Sequence, residues 1–212
     1  MFAYSFAHWL TFLSAAFLLN LSPGPDMAFI LSHSVSGGRR AGFAAMFGLW
    51  NGTFVHIIFA ALGLSAILLT SATAYTLVKW IGALYLIWLG IKALRSQGFS
   101  QMSVVGQAAP DLAAIFRQGV LVSALNPKVA IFFLAFLPQF VEPGAGPVSA
   151  QLFLHGVLIL MTAALVEPLV VLLGGRLAEM VEHNTVISRW MDRGLGVLLI
   201  GLGLKLASSA NN

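Results

Sequence analysis

Six long, almost uninterrupted apolar stretches, near 4–34, 42–69, 76–94, 118–140, 149–173 and 194–208, constrain this chain more than any motif in it. Each is close to or above the ~20 residues an α-helix needs to cross the hydrocarbon of a bilayer. Backbone amides in hydrocarbon must be satisfied within their own structure, and barrel strands would be about 10 residues long with alternating polarity. An all-α membrane protein with six transmembrane helices is expected. Only 8% of the 212 residues are charged and 59% are apolar, too little charge to solvate a globular surface. A water-soluble enzyme or binding protein is thereby excluded. The absence of cysteine removes disulfide frameworks, thiolate metal sites and thiol relays. No Lys or Arg precedes Arg39, whereas a cleaved signal opens on a basic segment, so the first stretch is expected to remain as a helix.

A net charge of +4 would suggest nucleic acid in a soluble chain, but here the cations report topology. Arg39 and Arg40 fall in the first connection, Lys92, Arg95 and Arg117 around the third, and Arg176, Arg189 and Arg193 in the fifth. The other side holds Lys79, Lys205 and Glu142. The positive-inside rule makes the first set cytoplasmic and puts both termini outside. The third connection, near 96–115, is rich in Gly, Ser, Gln and Ala, which marks a linker between residues 1–95 and 118–212, with 96–117 cytoplasmic.

The two halves share two patterns. Leu89-Gly90-Ile91-Lys92 closes the third span as Leu202-Gly203-Leu204-Lys205 closes the sixth. The first span carries Ser22-Pro23-Gly24-Pro25-Asp26 and the fourth carries Asn126-Pro127-Lys128, so each half opens on a helix broken by proline. Three spans per half is an odd number, so the repeats are expected to be inverted, the architecture in which paired broken helices mark a transport site. Two half-helix N-termini, positive ends of their dipoles, would then converge from opposite leaflets near the midplane. A carboxylate is the natural ligand of such an end.

At 1.5 Å of rise per residue, Asp26 lies about 20 Å from Arg39, Lys128 about 16 Å from Arg117, Glu167 about 14 Å from Arg176 and Asn51 about 16 Å from Arg40. Charges this deep cost about 3 kcal/mol each and face a cavity or each other. Asp26, Lys128 and Glu167 are therefore candidate pathway residues, with an ion pair between the halves as the alternative for the first two and a water-facing group for the third. Asn51 is either in the pathway or in an interhelical hydrogen bond. Gly48 and Gly52 form a small-xxx-small pair suited to packing within the bundle. The scattered Trp9, Trp50, Trp80, Trp88 and Trp190 suit interface belts or core. His8, His33, His56, His155 and His183 lie at different depths without ligand spacing, so no metal centre and no cofactor are expected. Nothing matches a nucleotide cradle, a zinc-peptidase helix or a nucleophile elbow and no convergent catalytic set is found, so neither energisation by ATP nor a membrane-embedded enzyme is expected.

Taken together, N-L-S-P-G-P-D at 20–26, G-R-R-A-G at 38–42, W-I-G-A-L-Y-L-I-W-L-G at 80–90, L-N-P-K at 125–128 and F-L-P-Q-F at 136–140 resemble the LysE/RhtB family of bacterial amino-acid exporters over nearly the whole chain. The resemblance implies export of amino acids or close derivatives across the bacterial inner membrane, generally driven by the proton-motive force. It places Pro23, Gly24, Pro25, Asp26, Asn126, Pro127 and Lys128 in the transport site. Trp50-Asn51 departs from the small apolar residues usual in the family at that place. Expected partners are a small zwitterionic amino acid, protons and the lipid bilayer; a homo-oligomer is open and nucleic acid is not expected. Either Asp26 or Glu167 could carry a coupling proton. A channel or exporter for an inorganic ion is the alternative that the same polar midplane allows.

Overall fold

The computed structural model describes residues 4–21, 24–66, 72–95, 111–174 and 185–208. They form α1 (Phe6–Leu21), α2 (Pro25–Ser36), α3 (Gly38–Phe59) running on into a π-helical turn (Ala60–Leu64), α4 (Ala72–Leu94), α5 (Leu112–Ala124), α6 (Pro127–Ala135) with a 3-10 turn (Leu137–Phe140), α7 (Val148–Leu172) and α8 (Thr185–Ser208). No strand occurs among the described residues. Gly38–Leu64 (27 residues) and Val148–Leu172 (25 residues) are each long and apolar enough to cross a membrane. Leu112–Ala124 and Lys128–Phe140, bent by 51° at their junction, make a third if they count as one span. Exposed Phe59, Leu62, Ile81, Leu84 and Leu165 give the molecule the apolar outer surface that lipid requires.

The expected breaks in the first and fourth stretches are both present: α1 stops at Leu21 and α2 starts at Pro25, while α5 stops at Ala124 and α6 starts at Pro127. Ser22 and Pro23 lie outside the described residues, as do 96–110 of the expected linker, Arg176 and His183. The fourth stretch becomes helical earlier than 118. Asp111 Oδ1 accepts from the backbone N–H groups of Ala113 and Ala114, at 3.0 and 3.1 Å, and starts α5 at Leu112.

Glycine sets the closest helix contacts. A Cβ on Gly48 would run into the Phe116 carbonyl, and one on Gly52 into the Val120 carbonyl, so α3 and α5 pack backbone to backbone and run parallel. The small-xxx-small pair therefore serves the bundle interior. In the antiparallel α4–α8 pair, Gly90 abuts Gly196 and Ile200 while Gly203 abuts Ala83 and Ile87. One constant offset in residue number converts the first set of contacts into the second. α1 and α7 run parallel, joined by Tyr4 to Gln151, His8 to His155 and Asn20 to Thr162. α3 runs against α7, with Trp50 meeting Glu167 and Ile57 meeting Gly156.

These directions put Arg39 and Arg40 at one end of the molecule and Tyr4, His8 and Glu142 at the other, with Arg117 on α5 beside Gly48 in between. The main core lies between, with Phe12 and Ala16 of α1 against Phe132 of α6 and Phe136 just after it, Leu152 and Ile159 of α7, and Leu199 of α8. Exposed Trp80, Trp88 and Trp190 stand under Lys79, Lys92 and Arg193 at 5.9, 5.3 and 5.5 Å, Lys79 itself being buried.

Candidate functional site

Breaking a helix inside a bundle leaves backbone groups to be satisfied, and the sequence around each break supplies them. Gly24 precedes α2 in an extended conformation (φ −155°, ψ −173°) and its carbonyl accepts the first helical bond, from Ala28 N–H at 2.9 Å. Pro25 follows at the first helical position, where a missing N–H costs nothing. At the second break Asn126 works in two directions. Its Oδ1 accepts from Lys128 N–H at 3.0 Å and caps α6 ahead of Pro127, and its Nδ2 donates to Asp26 Oδ1, also at 3.0 Å. The Ser123 carbonyl left open at the end of α5 accepts from Asn126 N–H and from His56 Nε2, each at 3.0 Å. One side-chain amide thus ties the second break to the first.

Between the breaks lies a cavity of about 60 Å³. Gly24, Pro25, Asp26 and Lys128 line it, and so does Glu167 from α7. Glu167 Oε2 accepts from Trp50 Nε1 at 2.6 Å, across the α3–α7 contact. Pro168 follows inside α7 and removes the N–H that would have bonded the Ala164 carbonyl, so this helix too is locally opened beside the cavity. Asn20 Nδ2 donates to Thr162 Oγ1 at 2.8 Å and to the Ile159 carbonyl at 3.2 Å, fixing the last turn of α1 on α7. Met27, Ile30, Leu49, Val129, Phe133 and Leu160 make the rest of the wall apolar. Two carboxylates, one ammonium and the starts of two helices surround a small apolar space. That chemistry suits a ligand bearing both charges on a compact apolar body.

Asn51 is not part of this wall. It is exposed, and its Nδ2 donates to the Phe47 carbonyl one turn back in α3 at 2.8 Å. The neighbouring Trp50, which the sequence marks only as a departure from a family pattern, faces the cavity instead. Asn20 and Thr53 also line it, and neither is singled out by sequence; a polar side chain in the last turn before a proline break is the signal that could have found Asn20. His8 and His155, at different depths by sequence, are in contact, with Nε2 atoms 2.9 Å apart. Among the described residues no group of three His, Cys, Asp or Glu side chains could hold a metal ion.

Removing the amide at the second break should be costly to the fold. Asn126→Ala loses a helix cap, worth about 1 kcal/mol, and a buried hydrogen bond to a carboxylate, worth about 1.5–3 kcal/mol. Unfolding of the detergent-solubilised variant is expected to show a loss of about 2–4 kcal/mol; an unchanged midpoint would mean that other groups hold the two breaks together.

The LysE type translocator family matches residues 17–210, spanning both breaks and the cavity. The chain is 32% identical to an uncharacterized membrane protein of Vibrio cholerae over 95% of this chain and 97% of that one. It is 30% identical to a homoserine/homoserine lactone efflux protein of Salmonella typhi over 97% of this chain and 98% of the relative. A leucine efflux protein of Salmonella choleraesuis is 25% identical over 98% of this chain and 99% of its own. No solved structure matches. A match over residues 17–210, which takes in Gly24, Pro25, Asp26 and Lys128 of the cavity wall, makes this chain a member of the LysE translocator family, whose members are transporters and not enzymes.

Proposed function

We propose that the protein exports a small zwitterionic amino acid, or a close derivative of one, from the bacterial cytoplasm across the inner membrane in exchange for protons. The observation that carries this reading is the convergence of Asp26, Lys128 and the N-termini of α2 and α6 on one cavity. The substrate carboxylate meets Lys128 and the start of α6, and its ammonium meets Asp26. Gly24, Pro25, Asn126 and Pro127, with Pro23 ahead of them, keep the two helix ends open. The cavity walls favour a compact side chain, in keeping with relatives named for homoserine, its lactone and leucine.

The coupling proton belongs to Glu167. Asp26 stands in the first turn of α2, where the helix dipole compensates a carboxylate, and Asn126 donates to it as well. The described partner of Glu167 is the neutral indole of Trp50. Asn51 has no role in this site.

In this reading α1–α2 and α5–α6 are broken spans, and α3, α4, α7 and α8 complete six crossings in two inverted repeats. The offset-related glycine contacts of α4 and α8 support the repeat, and so do the parallel pairs α3–α5 and α1–α7, which are equivalent under it. The end bearing Arg39 and Arg40 is cytoplasmic, and both termini are periplasmic.

The test is efflux of labelled amino acids, loaded as mixtures, from proteoliposomes under an imposed proton gradient. Wild-type protein is expected to give saturable efflux of one chemical class, accelerated by the gradient. Glu167→Gln is expected to keep efflux down the substrate gradient while losing the acceleration. No movement of any amino acid by folded protein would overturn the substrate assignment, and full acceleration in Glu167→Gln would move the coupling proton elsewhere.

A further inference from the structure

At the end of the molecule opposite Arg39, three side chains from three segments form a chain of hydrogen bonds that the cavity does not use. Glu142 Oε1, in the 141–147 connection, lies 3.0 Å from His8 Nδ1 near the start of α1. His8 Nε2 lies 2.9 Å from His155 Nε2 in α7, and His155 Nδ1 lies 2.8 Å from the Gln151 carbonyl. The Glu142 side chain is 44% exposed and that of His8 is 5% exposed, while His155 is 1% exposed, so the chain leads from the surface inward.

Counting protons shows what this arrangement tolerates. The Gln151 carbonyl can only accept, so His155 Nδ1 carries a hydrogen. The two facing Nε2 atoms need one hydrogen between them, and a carboxyl facing His8 Nδ1 needs one more. Three contacts therefore hold three protons. Whether the outer one sits on His8, as an imidazolium beside a Glu142 carboxylate, or on Glu142, as a carboxylic acid beside neutral His8, the set has no net charge. Protonating both imidazoles places two N–H groups nose to nose at 2.9 Å, which the His8–His155 contact cannot survive, whereas a proton added to the second oxygen of Glu142 leaves it intact. Acid therefore binds the separated form better and drives the pair apart.

The contact sits where a passage would have to open. His155 packs on Phe12 at 4.7 Å between ring centres, Phe12 on Phe136 at 5.9 Å, and Phe136 on Phe132 at 4.2 Å. Phe133, next in α6, lines the cavity. Among the described residues, the titratable groups facing the histidine pair are Glu142 from the connection and Tyr4 from the segment before α1. Tyr4 stacks on His8 at 4.3 Å and donates to Gln151 Oε1. Among the described residues, α1, the 3-10 turn and α7 add the uncharged Trp9, Phe12, Phe140 and Gln151.

We propose that the Glu142–His8–His155 chain is a proton-operated latch that holds α1, α7 and the 141–147 connection together over the aromatic plug, and that acid on that side releases it and opens the cavity to that face. The assignment of this face to the periplasm rests on the export reading; the latch itself does not.

The absence of cysteine allows a direct test. Ala163→Cys puts a thiol on the cavity wall, and Pro143→Cys puts one on the exposed connection. Full-length protein in proteoliposomes is treated with a membrane-impermeant thiol reagent from the side that labels Pro143→Cys, and cavity labelling is normalised to that control at each pH. Normalised labelling is expected to rise at least about tenfold between pH 8 and 5.5. Adding His155→Gln is expected to hold it low throughout, because the amide oxygen still accepts from His8 and takes no further proton. Glu142→Gln is expected to shift the rise to lower pH, since no carboxylate remains to favour the charged pair. Labelling that is flat with pH in the parent background, or a rise that survives His155→Gln, would overturn the latch. No substrate enters this measurement, so a failed latch with intact amino-acid efflux, or an operating latch without efflux, separates the two readings.

Discussion

Asp26→Asn and Lys128→Met are each expected to reduce amino-acid efflux and counterflow in proteoliposomes by about 100-fold or more. In the proposed site each removes one half of a charge-assisted contact to a zwitterion. The loss of about 3 kcal/mol that this implies corresponds to two decades in affinity or rate. Both variants preserve side-chain size, and Asp26→Asn can still hydrogen-bond to Asn126, so folding should be little affected. Asn51→Ala, on the outer face of α3, provides the contrast and is expected to transport normally. Transport at normal affinity by Lys128→Met would reduce that residue to a structural partner, and the same result for Asp26→Asn would move the ammonium site elsewhere.

An effect as large is expected on folding from Gly48→Leu. A Cβ at position 48 already meets the Phe116 carbonyl, so a leucine must drive the α3 and α5 backbones apart along their whole contact. Ordinary overpacking costs about 1–3 kcal/mol because side chains can yield. Backbone cannot, and the cost here is expected to exceed about 4 kcal/mol, enough to lose most of the folded protein. Gly63→Leu is the matched control, since a Cβ there meets nothing within 4 Å. Size-exclusion recovery and unfolding in detergent should separate the two variants sharply; equal recovery would mean that α3 and α5 do not pack through glycine.

What could be read from the chain and what could not divides along a physical line. Helices, and the prolines that break them, are dictated by local rules: residue composition over ~20 positions and the missing N–H of Pro25 and Pro127. Depth followed from the rise per residue, which is why Asp26, Lys128 and Glu167 were identifiable together. Rotation about the helix axis was not. Asn51, Thr53 and His56 of α3 point in different directions around its axis, so nothing in its sequence says whether residue 50 or 51 faces inward. An asparagine that bonds to its own helix at Phe47 needs no polar neighbour, while the tryptophan beside it reaches Glu167 across 117 positions. His8 and His155 are 147 residues apart, and only the docking of α1 on α7 makes them neighbours.

The 51° bend between α5 and α6 has a mechanical meaning. α5 is held against α3 through bare backbone, while α6 leans chiefly on α4. The two arms of this elbow are thus anchored in different blocks, with only Leu125 and Asn126 between them. Any sliding of one block past the other must be absorbed at that joint, where Asn126 grips Asp26 and Lys128 begins the next arm. If the proposed substrate sits at this joint, a shift of the frame changes the grip on it, and a molecule that tightens the joint would work as a lever on the frame.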